Sequence, residues 1–386
     1  MARIDLSTLD WQLTGWRPYA WRLGKRLDST SPIPADIGPL PAHVPASVQQ
    51  LLLEAGLIAD WNVGRNSLAC EWIEHRHWDF STWLSPDLLP STESVLLDTP
   101  GLDYSGWILL DCVEIGRFEG TLLPHRFNLG TFAADGHPHL LSIIFEEPPP
   151  EQGQCGYTSL SRYFKPRYNY SWDWCPRIVP VGVWEPAALL TGPDAACKVD
   201  GLTTALAADL KTGSVTLSLK YSPRSGFCNM SLKLYSGTQE LAATTAPVND
   251  SGNTELTVDP VTVEPWYPNG AGPQRLYTVQ VAGCDANGRE IWSARRTVGF
   301  KRVEWKPCEG APADAEPWIC EVNGEPVFLQ GANWVPPKAI YHEATRADYT
   351  RLVRLYRDMG VNVLRVWGGG ILEKSAFYDS CDENGI

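Results

Sequence analysis

Val361-Asn362-Val363-Leu364-Arg365-Val366-Trp367-Gly368-Gly369-Gly370 is an apolar run closed by three glycines, and its neighbours decide what kind of run it is. Upstream, Thr345 and Asp348 make the Thr-x-x-Asp signature of a helix start, and Tyr349, Leu352, Val353, Tyr356 and Met359 then recur at helical spacing. Gly360 stands where a helix C-cap belongs. The spacing predicts a helix, then a buried-type strand over Val361–Val366, then a second helix over about Lys374–Glu383 that stops at Asn384-Gly385. Val327–Leu329 reads as a short apolar strand before the first helix, and Ile386 would open another. Strand, helix, strand, helix is the grammar of a parallel α/β unit. A closed (β/α)8 barrel takes ~250 residues. Residues 306–386 supply far fewer, so they are expected to be the start of an incomplete barrel.

Everything before that point reads differently. Residues 1–187 are short apolar segments such as Glu93–Leu97, Gly106–Leu110 and Leu140–Phe145, each bounded by Pro, Gly or Asp. A strand-rich unit of this size is expected to be a jelly-roll sandwich. Residues 188–305 hold further alternating runs: Val215, Leu217 and Leu219 share one face, and Leu276–Val281 alternates likewise. A smaller, immunoglobulin-like sandwich fits them. Between the sandwiches the texture changes. Pro148-Pro149-Pro150 and Gly153–Gly156 open a long stretch that ends in Tyr168-Asn169-Tyr170-Ser171-Trp172-Asp173-Trp174-Cys175-Pro176. Long irregular loops in compact domains are functional or disordered, and this density of aromatics argues against disorder. The fold class is thus multidomain and mostly β: 1–187, 188–305, then 306–386.

Composition narrows the function. A formal net charge of −13 argues against a nucleic acid or an anionic membrane as partner. A neutral glycan fits that balance. The 17 tryptophans serve mostly as core, yet an indole face is also the preferred platform for a sugar ring. The ten cysteines are scattered without a Cys-x-x-Cys pair, so neither a zinc framework nor a disulfide scaffold is indicated. No apolar segment follows the charged start Met1–Asp5 as a signal peptide would require, and no run is long enough to span a bilayer. Free thiols without an export signal favour the cytoplasm. The Asn-x-Ser matches at Asn169, Asn229 and Asn249 read as chance. Gly368–Gly370 lacks the Gly-Lys-Ser/Thr of a phosphate loop and more simply lets backbone pass close by. No cofactor or metal is expected.

These motifs, in this order, resemble glycoside hydrolase family 2 enzymes of the β-mannosidase type over nearly the whole chain. Trp172-Asp173-Trp174-Cys175-Pro176 is similar to the group's Trp-Asp-Trp-Gly-Pro, and Leu364–Gly370 to its second barrel strand. Gly331–Pro336 resembles the loop after the first barrel strand. Trp266-Tyr267-Pro268-Asn269-Gly270, Leu276-Tyr277 and Gly299-Phe300-Lys301 resemble its immunoglobulin-like domain. Val44–Val48, Phe118-Glu119-Gly120 and Arg126-Phe127 resemble its jelly-roll, or galactose-binding-like, domain. Two positions depart from the pattern. Cys175 stands where the turn has Gly, which matters if that position needs a positive φ, and Asp111-Cys112 stands where a hairpin has Asn-Gly.

The resemblance implies a retaining exo-β-glycosidase acting on terminal β-mannosyl residues of an oligosaccharide or glycan, in which two glutamates do the chemistry. Both would lie on later barrel strands, beyond Ile386, so this chain alone is expected to be inactive and to hold no catalytic residue. Glu373, the tempting local substitute, reads as a first-turn helix glutamate. The resemblance leaves this chain part of the sugar-binding wall. Arg365 would hold the nucleophile ionised and oriented, the alternative being a structural salt bridge. Trp367 would wall the sugar subsite, or else pack the barrel rim. Trp172 and Asp173 would reach the pocket from the jelly-roll loop, where a carboxylate can accept two vicinal hydroxyls. Asn333 and Trp334 would stand behind the pocket or at its rim. Other family 2 specificities (β-galactosidase, β-glucuronidase, glucosaminidase) and a non-catalytic carbohydrate-binding protein are the competing readings. Open apolar strand edges at Asn384-Gly385-Ile386 weigh against a protein that naturally finishes there. A homodimer is compatible with all of these.

Overall fold

The structure, a computed structural model, describes residues 3–25, 33–89, 95–130, 135–150, 162–192, 196–223 and 225–386. The Gly153–Gly156 segment and Cys155 lie outside them. The backbone is mostly strand, and the chain forms two compact units: Met1–Ala195 with Val335–Ala344 and Trp367–Leu372, and Ala196–Trp334 with Thr345–Val366 and Glu373–Ile386.

Period-two alternation builds the first unit. A six-stranded antiparallel sheet runs in the order Ile37–Ala42, Trp11–Trp16, His77–Leu84, His139–Phe145, Ser105–Leu110, Val113–Glu119. A four-stranded sheet runs Arg3–Asp5, Ala188–Thr191, Val95–Thr99, His125–Asn128. Leu13, Phe80 and Ile143 from the larger sheet meet Leu97, Leu189 and Phe127 from the smaller one in a single core. Each such side chain contributes roughly 1.5–3 kcal/mol of burial. The strands expected over Gly106–Leu110 and Leu140–Phe145 are there, each one residue longer at its start; that of Glu93–Leu97 runs Val95–Thr99, with Glu93 outside the described residues. Asp111 and Cys112 turn the hairpin between Leu110 and Val113 with φ of 49° and 68°. Both central residues therefore adopt the left-handed backbone that the commoner Asn-Gly pair supplies more easily.

In the second unit, Cys197–Leu206, Thr212–Tyr221 and Asn253–Thr262 face a four-stranded sheet of Gln239–Pro247, Asn229–Ser236, Tyr277–Cys284 and Glu290–Val298. Val215, Leu217 and Leu219 alternate inward as their spacing predicts and meet Leu232, Leu234, Val279 and Val281.

The α/β part begins with Gly331–Trp334, which pairs in parallel with Val363–Val366 and sets Asn333 opposite Arg365. This corrects two expectations. Val327–Leu329 is not a strand, and its Phe328 is 85% exposed. Gly331–Pro336 is not simply a loop, because its first four residues are the strand. Gly331 permits the close approach: a Cβ there would sit 2.0 Å from the Val363 carbonyl oxygen. Val363–Val366 is half-buried rather than fully buried, having one pairing partner among the described residues. The first helix, Arg346–Asp358, starts on a complete Thr345/Asp348 capping box, and Gly360 follows it at φ 82°. The second, Ser375–Asn384, ends on Gly385 in the left-handed conformation. Asn269 ties this part to the sandwich, donating to the carbonyls of Arg357 (2.8 Å) and Val361 (3.0 Å).

Among the described residues no helix is long and apolar enough to cross a membrane, no three metal-ligating side chains converge, and every cysteine is free.

Candidate functional site

In the first unit the aromatic motif is a tight turn. Trp172 and Cys175 exchange backbone hydrogen bonds of 3.0 and 3.3 Å, which leaves Asp173 and Trp174 at the tip, both exposed. The residue that pays for the turn is Ser171, at φ 94°; Cys175 is not among the positive-φ residues. Replacing glycine at Cys175 therefore carries no left-handed strain. The Cys175 thiol is instead buried, reaches the Pro176 carbonyl at 3.3 Å, and is pushed by desolvation to a pKa of about 11. It is not a thiolate at neutral pH.

Trp367 faces this turn. Its ring centroid lies 4.9 Å from that of Trp172, 6.2 Å from Trp174 and 6.5 Å from Tyr168, while Tyr168 stacks on Trp174 at 5.0 Å. Trp174 keeps 39% of its surface exposed, and Trp172 and Trp367 are half-buried. The second glycine after Trp367 is required by it. A Cβ on Gly369 would fall 2.2 Å from the Trp367 ring, so only glycine lets the backbone fold back against the indole. The result is a partly open aromatic wall with one carboxylate, Asp173, at its tip.

What holds the wall in place is a buried polar network that sequence reasoning missed. Asp103 is fully buried; its carboxylate accepts from Lys165 Nζ at 2.5 Å, Thr121 Oγ1 at 2.7 Å and the Tyr341 hydroxyl. Lys165 also donates to the Pro180 carbonyl at 2.8 Å. Burial lowers the lysine's pKa, and the Asp103 carboxylate opposes that shift. Tyr341 stands edge-on to Trp184 at 5.5 Å, and both belong to the apolar cluster of Tyr168, Cys175 and Ile371 on which Trp172 and Trp367 pack. Asn169 donates to the Ala339 carbonyl at 2.8 Å, and Arg177 grips Glu74 through two hydrogen bonds of 2.5 and 2.7 Å. The loop from residue 162 to 185 is thus tied to the sandwich and to Val335–Ala344 at several points.

The other predicted residues belong to the second unit. Arg365 and Asn333 are exposed neighbours across the parallel pair, with Arg365 Nη1 donating to Asn333 Oδ1 at 3.1 Å. The Arg365 guanidinium makes no ion pair among the described residues. Trp334 is buried against Phe377 (4.6 Å) and donates to Glu373 at 2.8 Å. Glu373 precedes the helix N-cap Lys374 instead of occupying the first turn, which corrects the dipole reading. Its second oxygen accepts from the Tyr349 hydroxyl at 2.7 Å; burial raises its pKa, and the two donors only partly oppose this. Of the six residues expected at a site, the structure brings Trp172 into contact with Trp367, places Asp173 beside Trp172 on the turn, and separately pairs Asn333 with Arg365.

Comparisons with known proteins agree with this architecture. Residues 21–185 match the glycosyl hydrolase 2 galactose-binding domain-like family. A β-mannosidase B of Thermothelomyces thermophilus is 28% identical over 361 residues, covering 89% of this chain and 41% of that protein. The chain spans about two-fifths of the length of the curated relatives it matches. A crystal structure of a β-D-mannosidase from Dictyoglomus thermophilum superposes with a TM-score of 0.79 at 24% identity, over 100% of this chain and 46% of that one. An exo-chitosanase of Amycolatopsis orientalis, solved with PNP-β-D-glucosamine, gives 0.72 at 14% identity, over 100% of this chain and 43% of that one. Those two likenesses concern the fold. Residues 21–185 are thus similar to the glycosyl hydrolase 2 galactose-binding domain-like family, and about nine-tenths of the chain is similar to β-mannosidases.

Proposed function

We propose that this chain is the N-terminal part of a retaining exo-β-mannosidase and supplies one wall of the pocket that receives the terminal β-mannosyl residue. The observation that carries this is the Trp172–Trp367 contact at 4.9 Å, which joins indoles from two segments similar to β-mannosidase motifs, the Trp-Asp-Trp turn and the Trp-Gly-Gly-Gly run. In this reading Asp173 accepts two hydrogen bonds from adjacent sugar hydroxyls. A sugar of the wrong configuration leaves the carboxylate partly unpaired, and that difference is the source of specificity. Trp172, Trp174 and Trp367 pack on the sugar's C–H groups and exclude water. Arg365, charged and exposed, orients the nucleophilic carboxylate, with Asn333 holding the guanidinium; Trp334 stands behind them.

The two catalytic glutamates belong, in this proposal, to sequence outside these 386 residues. The chain divides as 1–187 (jelly roll), 188–305 (immunoglobulin-like) and 306–386 (the opening β/α units of the barrel). The experiment is hydrolysis by the product of the extended reading frame, assayed on aryl β-mannoside, β-glucosaminide and β-glucuronide. Preference for the mannoside, lowered at least ~100-fold by Asp173→Ala, supports the reading. Preference for the glucosaminide would replace it with the specificity suggested by the exo-chitosanase, whose fold is also similar.

A further inference from the structure

The six-stranded sheet has a second face that the core does not use. Since strand side chains alternate, Leu13, Phe80 and Leu141 point into the core, while Gln12, Ser81, Trp83 and Leu140 point away from it. Register places Gln12 opposite both Ser81 and Pro41, and Trp83 opposite Leu140. One end of this face is covered. There Trp21 donates to His77 Nδ1 at 3.0 Å and packs 5.2 Å from Trp107, and Lys25 reaches Asp79 at 2.6 Å and Ser142 at 2.8 Å. The other end is open among the described residues. It forms a groove lined by Asp10, Gln12, Pro41, Ser81, Trp83 and Leu140, in which Trp83 is 61% exposed.

Exposure of that indole is unusual for its position. Trp83 sits in an eight-residue strand and is paired with Leu140, one residue past the point where the Trp11–Trp16 ladder ends at Thr82, so its backbone is fixed by the sheet. Burying such a ring in a partner is worth ~25 cal/mol for each Å² covered. The surroundings select the partner. Gln12 offers an amide donor and acceptor, Ser81 a hydroxyl, and Asp10 a carboxylate that accepts hydroxyl protons. No Lys, Arg or His lines the groove, which disfavours phosphate, sulfate and uronate groups, and the chain's charge of −13 points the same way. Pro39, Leu40, Pro41 and Ala42 supply much of the apolar lining, and Asp10, Gln12 and Ser81 interrupt it with hydrogen-bonding groups. A flat apolar face flanked by an amide, a hydroxyl and one hydroxyl-accepting carboxylate suits a neutral hexopyranose ring.

We propose that this groove is a second, non-catalytic saccharide-binding surface, taking a neutral β-linked oligosaccharide with one sugar ring stacked on Trp83. It shares no residue with the Trp172–Trp367 wall and does not depend on the reading of that wall. Its role would be to keep a polymeric or branched glycan on the protein between bond-breaking events.

The test is isothermal titration of the 386-residue chain with β-1,4-mannohexaose and, in parallel, cellohexaose. Binding of at least one in the range of roughly 0.1–1 mM is expected. Trp83→Ala should weaken it at least ~10-fold, Gln12→Ala and Ser81→Ala by less, while Trp83→Phe retains it and Trp318→Ala, at an exposed indole of the second unit, leaves it unchanged. Unaltered thermal midpoints of the variants guard against a folding effect, and Trp83→Thr, a good strand former without the ring, serves if Trp83→Ala proves unstable. Affinity that survives Trp83→Ala overturns the proposal, as does the absence of binding to both sugars. Aryl β-mannoside hydrolysis by the extended protein, which Trp83→Ala should not change, tests the proposed function separately.

Discussion

Tyr341 and Asp103 lie 238 positions apart and meet as donor and acceptor in the fully buried interior of the first unit. Asp103 is at the same time ion-paired with Lys165, whose side chain is wholly inaccessible. A buried carboxylate is tolerable because three donors answer it, one of them the Lys165 cation, and removing one answer exposes the cost. Lys165→Met should destabilise the first unit by about 3–5 kcal/mol, because it strands a buried charge. Tyr341→Phe should cost about 1–2 kcal/mol, the loss of one charge-assisted hydrogen bond. Urea denaturation followed by tryptophan fluorescence reads both. Equal, small effects for the two variants would show that the carboxylate is not held as an ion pair.

The Asp111-Cys112 hairpin makes an opposite prediction. Cys112 adopts φ 68° and has no glycine's freedom to do so. Left-handed backbone costs an L-residue about 1–2 kcal/mol, and glycine returns part of that gain through its larger unfolded-state entropy. Cys112→Gly should therefore stabilise by a net ~0.5–1 kcal/mol, and Cys112→Val should destabilise by at least ~1 kcal/mol, since β-branching worsens the strain. The midpoints of thermal unfolding should rank Gly above Cys above Val; any other order removes backbone strain as the controlling factor.

What could be read from the sequence was local. Thr345 and Asp348 are three residues apart, and the capping box they make needs nothing else. Val215, Leu217 and Leu219 announce their strand by alternation alone. The Trp172-Asp173-Trp174 motif was legible through resemblance, as was Trp367, but their contact depends on a chain reversal that no spacing encodes. Lys165 carried no signal at all, because a lysine is ordinarily exposed and its partner lies 62 residues upstream. Val327–Leu329 misled for the reverse reason. Three apolar residues look alike whether paired or bare, and the backbone partner of Val363–Val366 turned out to be the more polar Gly331–Trp334. At Cys175 the motif drew attention to the wrong residue, since the strained φ belongs to Ser171.

His139 gives the fold a pH dependence whose sign can be worked out. It is buried between Asp111 (2.5 Å) and Asp135 (3.0 Å). Burial alone would lower its pKa, but the two carboxylates outweigh burial and raise it. The folded state thus holds the proton more tightly than the unfolded state does. The stabilisation is fully present below the unfolded value of about 6.5 and is lost as pH rises through the folded value. With both carboxylates partly exposed, it should amount to no more than ~0.5–1 kcal/mol. Stability measured from pH 6 to pH 8.5 should fall by that amount in the parent and stay flatter in His139→Gln. A parent that gains stability over this interval, relative to the variant, would reverse the assignment.

Glu373 behaves in the contrary sense at lower pH. Its carboxyl accepts from Trp334 and Tyr349, both neutral, and the adjacent Lys374 adds a weaker charge attraction. Desolvation raises its pKa further than those two donors lower it. A carboxyl whose folded pKa is raised penalises folding when ionised, so the penalty is present above the folded value and fades as pH falls toward the unfolded one. Glu373→Gln removes the charge and keeps the shape. One side-chain oxygen still accepts from Trp334, and the Tyr349 hydroxyl can turn to accept from the new amide. The variant should be more stable than the parent by about 1–2 kcal/mol at pH 8, the scale of an incompletely compensated buried polar group. That advantage should shrink toward zero by pH 4.5. Parallel denaturant titrations at the two pH values decide it: a variant less stable than the parent at pH 8 would mean that the ionised carboxylate is a net support of the fold, and the advantage at high pH would then have to be withdrawn.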